Sequence, residues 1–451
     1  MTKQNNTFSS NIGAILAAVG SAVGLGNIWR FPYICGKNGG GAFLIVYLLF
    51  VFGIGMMLLM TDFAIGRRSR HAPVKAFATL VPEHSGWKWV GGLSIVTLLV
   101  IISLYNLVSG WTTHYLYAST TGALSALGND AGAYTQYFND FTTSVSGPAI
   151  SLIIFAVATA LVLLGGVQKG IENVSKMLMP LLMILIVVMC VRSLTLPNAE
   201  RGLDFLFTPR FSELTINGVM EALSQALFSL SVGMGGMIVY GSYLPERDDL
   251  LKTSIWITVC DTLIAVLSGV AIFPAVFSCG FDPAGGPQLS FCVLPQLFNT
   301  MGGAGQIFAT IFFLLLLIAA LTSAISVVES IVAWRIDSHN APRWRATAVI
   351  AAIGIVLSLL LSLTQGPLAD VRVWGTDLFN LITENILTGI LIPTTALMIV
   401  VYAAWVLPNK DLRDELSSHG TIGTRYYPVY RFIIKYIAPV ALITIIITNI
   451  I

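Results

Sequence analysis

Charge is what this sequence has least of. Only 10% of its 451 residues are Asp, Glu, Lys or Arg, against 56% that are hydrophobic, whereas a soluble chain carries about 25% charged residues. That shortage excludes an ordinary water-soluble domain, and polar stretches long enough to fold separately are missing too. Cysteine is scarce: there are five, with no C-x-x-C and no Cys/His spacing suited to zinc. Cys35, Cys190 and Cys260 fall in or at the ends of apolar runs, while Cys279 and Cys292 share one polar loop where an oxidising compartment would permit a disulfide. No basic cluster of nucleic-acid-binding character stands out of the net charge of +2. No nucleophile, base and acid converge, which argues against an enzyme.

What the sequence has is apolar runs of membrane length. Eleven windows of about 20 residues or more qualify: 11–35, 42–66, 89–117, 148–167, 174–194, 217–243, 254–278, 305–334, 346–363, 377–407 and 429–447. The expected fold is therefore an all-α polytopic membrane protein of eleven transmembrane helices in a single domain, residues 1–451. With the N-terminus inside, 18 of the 24 Lys and Arg residues fall on the cytoplasmic side and six outside. That bias predicts a multi-pass protein of the cell's plasma (inner) membrane with a cytoplasmic N-terminus and, after an odd number of spans, an outward C-terminus. The first run is long and is followed by Asn38-Gly39-Gly40-Gly41 where a cleavable signal would need a small-residue site, so it is expected to stay as a span.

Two of these runs contain residues that weaken a helix. Gly20-Ser21-Ala22-Val23-Gly24-Leu25-Gly26-Asn27 puts three glycines and polar side chains at mid-span. A helix-interior glycine costs roughly 1 kcal/mol relative to alanine, and a backbone group left unpaired in hydrocarbon costs several more. Close packing through small residues is one use for such a stretch. An ion or solute bound at mid-membrane is the other, since broken helices offer carbonyls to cations and N–H groups to anions. Ser231-Val232-Gly233-Met234-Gly235-Gly236 repeats the pattern five spans later. An odd separation makes the second copy inverted, and paired interruptions of this kind point to an inverted-repeat transporter with its site between the halves. The halves run from about 11 to 195 and from about 217 to 407, with an extra helix at about 429–447. A channel would show a repeated polar lining, which is absent.

The stretch from Gly20 through Pro32, with Asn38-Gly39-Gly40-Gly41-Ala42-Phe43, closely resembles the first-helix signature of the neurotransmitter:sodium symporters. The resemblance continues through Tyr47, Gly66-Arg67, Tyr105, Gly110-Trp111, Lys169-Gly170-Ile171-Glu172, the run from Gly202 to Pro209, Gln225, Phe228, Ser229, Ser231 and Leu321-Thr322-Ser323. It implies a five-plus-five inverted repeat, with helices one and six unwound, that couples sodium entry to uptake of an amino-acid-like solute by alternating access. Two sodium ions are implied as co-substrates. One would be held by Ala22, Asn27, Ser229 and Asp261, the other by Gly20, Val23, Ala319, Thr322 and Ser323. Oxygen ligands suit a hard cation. Outside the family context, Thr322 and Ser323 would equally serve as back-bonding helix hydroxyls.

The substrate set implied by the resemblance is Ala22, Gly24, Leu25, Gly26, Ile101, Tyr105, Phe228, Ser229, Ser231, Met234, Ser323 and Val327. Relatives that carry cationic amines have aspartate at the position of Gly24, so the solute here is expected to bring its own carboxylate. The mostly apolar lining points to hydrophobic L-amino acids. Asp261, with alanine at 265 one turn on, is expected to supply the fixed negative charge that chloride supplies in other members. No chloride requirement is therefore expected, and a proton taken up by Asp261 after sodium leaves could travel back on the return step.

The outer gate is expected at Arg30 with Asp377 as its acidic partner, Glu384 being the alternative, under a lid of Tyr105 and Phe228. The inner gate is expected at Tyr243 and Asp337. The arginine that relatives carry before the first span is replaced by Asn5 and the usual tryptophan by Phe8, leaving Lys3 as a substitute. The partners expected are the amino acid and the lipid bilayer, with no nucleic acid, and a monomer should suffice. A proton-coupled transporter of the same architecture is the competing reading, but it would place a lysine or other titratable group at the second sodium site, where none of the residues named is basic. An ion channel fits less well still.

Overall fold

The computed structural model describes residues 11–278, 280–283 and 289–450. Nine helices among them are long and apolar enough to cross a membrane: Gly41–Ser69, Lys88–Thr120, Ser146–Leu164, Val167–Leu194, Leu250–Ser278, Gly302–His339, Arg343–Leu363, Leu378–Val406 and Tyr427–Asn449. The first run crosses as two helical pieces, Gly13–Ala22 and Gly26–Lys37, bent by 45° at the glycine-rich stretch. The run at 217–243 also departs from a single helix. It folds as Ile216–Ser229 and Gly236–Tyr243, and pieces of 14 and 8 residues are each too short to cross alone.

The second break has a clear backbone cause. Gly233 and Gly235 take φ of +72° and +85°, and Ser231 joins them at +53°. Two of the three positions use glycine, the residue for which the left-handed region costs nothing. The helix cannot continue through them, and it restarts at Gly236.

Packing sorts the helices into two groups. The third, fourth, eighth and ninth spans (Lys88–Thr120, Ser146–Leu164, Gly302–His339, Arg343–Leu363) lie chiefly against one another. The broken first and sixth spans lean on the second and seventh (Gly41–Ser69 and Leu250–Ser278) and cross the eighth. The two glycine breaks therefore meet inside the bundle, at the seam between the groups. Large apolar side chains left exposed, such as Leu49, Ile154, Leu161 and Ile184, lie on the outward faces of spans, as expected where the solvent is lipid and burial of every apolar group is unnecessary.

Candidate functional site

At the first break the backbone loses its ladder and side chains from other spans replace it. Val23 N–H still bonds back to Val19 O at 2.7 Å, and backbone bonding resumes with Asn27 N–H on Gly24 O at 3.1 Å. Between them, Gly24 N–H is taken by the Asn27 side-chain oxygen at 3.0 Å. Ser323 Oγ stands within 3.4, 3.0 and 3.1 Å of the carbonyls of Gly20, Ser21 and Val23. A hydroxyl has one proton to give, so several oxygen lone pairs are crowded around one point. Ser231 Oγ, at the second break, donates to Ser21 O at 3.1 Å and ties the two breaks together.

Thr322 joins this group by packing. Its hydroxyl back-bonds within its own helix, to Ile318 O at 3.1 Å and Ala319 O at 3.0 Å. A Cβ built on Gly20 would lie 3.4 Å from Thr322 Cβ, so helices one and eight are in contact there. The set Gly20, Val23, Ala319, Thr322 and Ser323 is thus gathered in one place.

Asn27, Ser229 and Asp261 form a second cluster, all at most 1% exposed. Asn27 Nδ2 donates to Asp261 Oδ1 at 2.7 Å, to Asp261 O at 3.0 Å and to Ser229 Oγ at 3.0 Å. Ser229 Oγ donates to Asp261 Oδ2 at 2.7 Å, and Tyr47 OH reaches Ser229 Oγ at 3.3 Å. Ala22, the last helical residue before the break, is buried. A buried carboxylate held by an amide and a hydroxyl is costly to leave charged unless a cation balances it.

Gly24 and Gly26 let other side chains approach the break. A Cβ on Gly24 would meet Ser323 Oγ at 2.2 Å and Tyr105 OH at 3.0 Å, and one on Gly26 would meet Phe228 at 3.0 Å. The rings of Tyr105 and Phe228 lie 6.3 Å apart. Leu25, Ile101, Met234 and Val327 are buried in the same apolar core. An aspartate in place of Gly24 has no room in this arrangement.

Beyond this region, polar ties join different spans at both ends of the bundle. At one end Arg30 Nη2 pairs with Glu384 Oε2 at 3.0 Å, its Nη1 donates to Gln225 Oε1 at 2.7 Å, and its guanidinium lies 5.2 Å over the Phe228 ring. Tyr33 OH donates to the other Glu384 oxygen at 3.1 Å. This corrects the expected partner: Asp377 does not meet Arg30 but caps the helix start, accepting from Asn380 N–H at 2.9 Å. Asp377 precedes that helix, whereas Glu384, seven residues on and inside the span, reaches the seam.

At the other end Tyr243 OH donates to Glu329 Oε1 at 2.8 Å, and Arg343 forms a two-point ion pair with Glu329 while donating from Nε to Leu163 O at 2.8 Å. Tyr240 OH and Ser326 Oγ lie 2.6 Å apart one turn along. Asp337 is engaged separately by His71 Nδ1 at 3.0 Å, by Ala72 N–H at 3.1 Å and by Lys75. Tyr243 thus bonds Glu329 and Asp337 is held by other residues, although Glu329 and Asp337 lie on the same helix, Gly305–His339. Lys3, Asn5 and Phe8 lie outside the described residues, as does Cys279 and with it any pairing to Cys292.

Residues that sequence reasoning passed over are Asp62, Glu329 and Arg343. Asp62, fully buried, accepts Gly233 N–H at 3.1 Å and so holds the second break open. The signal was present: an ionisable residue inside an apolar span is expensive unless it has a partner and a task.

Two broken helices meeting at oxygen-rich clusters at the seam of the bundle define a transporter of the inverted-repeat kind. A profile of the sodium:neurotransmitter symporter family matches residues 5–130 and 134–451, and the chain belongs to that family; it is a sodium-dependent transporter and not an enzyme. The chain is 35% identical to the sodium-dependent transporter YhdH of Bacillus subtilis (strain 168), over 97% of its own length and 96% of that protein. It is 31% identical to a sodium-dependent transporter of Haemophilus influenzae, over 99% and 98%. Its fold is similar to the crystal structure of MhsT in complex with L-phenylalanine, with a TM-score of 0.91, 36% identity and coverage of 98% of this chain and 99% of that one.

Proposed function

We propose that this chain takes up hydrophobic L-amino acids with two sodium ions, by alternating access and without chloride. The observation that carries the reading is the pair of oxygen clusters at the two helix breaks, with apolar side chains packed beside them. Around Ser323 three backbone carbonyls converge, and around Asp261 an amide, a hydroxyl and a carboxylate. Both are neutral or negative oxygen sets, which suits sodium. The first ion is assigned to Ala22, Asn27, Ser229 and Asp261, the second to Gly20, Val23, Ala319, Thr322 and Ser323.

The solute is assigned to Ala22, Gly24, Leu25, Gly26, Ile101, Tyr105, Phe228, Ser229, Ser231, Met234, Ser323 and Val327. Its carboxylate approaches the first ion and the N–H groups after the break, where the partial positive end of a half-helix favours an anion. Its side chain enters the apolar part. MhsT, similar over nearly the whole chain, is known with bound L-phenylalanine, which supports a substrate of that class. With Asp261 supplying negative charge beside the first ion, an external anion has no charge left to offset, and a proton on Asp261 during the return step is part of the same reading.

Arg30 with Glu384 and the Tyr105–Phe228 lid would form the outer gate. Tyr243 with Glu329 and Arg343, and Asp337 with His71 and Lys75, would form the inner one. The bias of Lys and Arg supports a cytoplasmic N-terminus and an outward C-terminus. The two five-span halves, residues 11–195 and 217–407, act as one domain, the eleventh span stands apart from the repeat, and one protomer suffices. Purified protein in liposomes, given labelled phenylalanine and an inward sodium gradient, tests the reading: uptake that dissipates when sodium is replaced by potassium supports it, and uptake indifferent to the replacement removes it.

A further inference from the structure

At the end of the bundle where Tyr243 meets Glu329, glycines fix which segments move as one. Gly66 of the second span and Gly241 of the sixth bring backbone against backbone. A Cβ on Gly66 would stand 1.8 Å from Ile238 O, and one on Gly241 would stand 2.7 Å from Phe63 O. Small residues that let two helices approach this closely lock them together, so the second span and the piece Gly236–Tyr243 form one body. Gly91 does the same for the short helix Pro73–Leu80, because a Cβ there would meet Val74 Cα and N at 2.4 Å. Gly91 lies near the start of the third span, Lys88–Thr120, which packs on the eighth. The short helix, the third span and the eighth form the other body.

Residues 70–72 run from one body to the other, and each flank is held. Arg70 ends the second span in the left-handed region, with φ of +57°. Its guanidinium donates to Ser242 O at 3.2 Å and Leu244 O at 2.5 Å, on the side of the sixth span. One residue later the bonds change body. His71 Nδ1 lies 3.0 and 3.1 Å from the two carboxylate oxygens of Asp337, Ala72 N–H donates to Oδ2 at 3.1 Å, and Lys75 Nζ stands 3.4 Å from Oδ1. An ionised carboxylate only accepts, so Asp337 is one acceptor shared by donors of the linker and of the short helix. Ala72 is extended, with ψ of 158°, as suits the residue before a proline. Positions like these, at the ends of elements, are where a hinge absorbs changes of φ and ψ.

Ties farther along the eighth span are of another kind. Tyr243 to Glu329 and Tyr240 to Ser326 run directly from one body to the other. Glu329 lies two helical turns before Asp337, about 12 Å along the axis. Rotation about residues 70–72 therefore parts Tyr243 from Glu329 while Asp337 keeps its donors.

We propose that residues 70–72 are the pivot of the inner gate and that Asp337 is the positioning residue that fixes this pivot to the eighth span. This deepens the alternating-access reading and rests on it: of the two sets assigned to the inner gate, the Glu329 set parts in each cycle and the Asp337 set holds.

Cross-linking of the full chain tests this. His71→Cys/Asp337→Cys and Tyr243→Cys/Glu329→Cys are each bridged with a short bifunctional methanethiosulfonate, and mass spectrometry verifies the bridge. Phenylalanine uptake is compared before bridging, after it and after reduction, with wild type given the same reagent as the control for its own cysteines. Without its anchor, the unbridged 71/337 variant should take up substrate severalfold more slowly than wild type, and bridging should restore the rate, since a covalent tie replaces the carboxylate. Bridging 243 to 329 should abolish uptake until the bridge is reduced. Uptake that falls or stays unchanged when 71 is bridged to 337, or that survives a bridge from 243 to 329, overturns the pivot. If the first double variant does not fold, Asp337→Cys alone is bridged to the native His71 with cadmium and released with a chelator, with the same outcomes expected. Wild type without uptake would count against the transport reading alone, and hydrogen exchange then decides on the pivot. Replacing sodium by potassium should raise exchange in Gly236–Tyr243 and leave residues 71–76 unchanged; a rise in both segments overturns the pivot.

Discussion

Ser229 Oγ donates to Asp261 Oδ2 at 2.7 Å, which ties the last turn before the break in the sixth span to the middle of the seventh. The same hydroxyl accepts from Tyr47 at 3.3 Å, and in the function proposed above the carboxylate takes the part of an anion from solution. Uptake is therefore expected to be the same in chloride and in gluconate. Asp261→Asn should lose most sodium-dependent uptake and flatten the response to pH that wild type shows. Uptake measured at several pH values in both salts checks this; strong chloride dependence of wild type, or an unchanged pH profile in the variant, would count against Asp261.

Asn27→Ala and Thr322→Ala each remove an oxygen from a dry cluster that water can only partly restore. Either change should cost on the order of 1 to 3 kcal/mol of sodium affinity, a shift of tenfold or more in the sodium concentration for half-maximal uptake. The protein should remain folded by melting temperature. A variant with wild-type sodium dependence would remove that residue from its cluster.

Much of this site was legible in the sequence because its cause is local. Glycines 20, 24 and 26 and the run from Ser231 to Gly236 announce helix breaks by composition, and their five-span separation implies an inverted pair. Asn27 and Ser229 meet Asp261, and Ser323 meets the carbonyls of Gly20, Ser21 and Val23. Arg30's partner was less legible: Asp377 and Glu384 are seven residues apart in one segment, and only the start of the helix decides which becomes a cap and which reaches the seam. Glu329 and Arg343 were missed because their pairing joins two helices through a buried contact that no periodicity records. Asp62, by contrast, could have been found as an unexplained charge inside a span.

Met234 is unbranched and adaptable, so a pocket walled by it should admit side chains from leucine up to tryptophan. Met234→Phe is expected to disfavour the largest substrates by roughly 1 to 3 kcal/mol, the scale of overpacking a filled core. Competition of leucine and tryptophan against labelled phenylalanine reads this directly. Identical competition before and after the change would move Met234 out of the pocket.

The corrected outer pair gives a sharp contrast. Glu384→Gln leaves the buried Arg30 guanidinium without its carboxylate and should lower the uptake rate severalfold, whereas Asp377→Asn keeps a good helix cap and should alter it little. Initial rates for the two variants at matched protein levels separate them. The reverse order of effects would restore Asp377 as the partner.

An inward sodium gradient is expected to drive a hydrophobic amino acid past the two helix breaks. Proteoliposomes loaded with potassium and diluted into sodium should accumulate labelled phenylalanine above its external concentration, and collapsing the gradient with a sodium ionophore should release it. Accumulation that persists after collapse, or that follows an imposed proton gradient with no sodium present, would contradict the account.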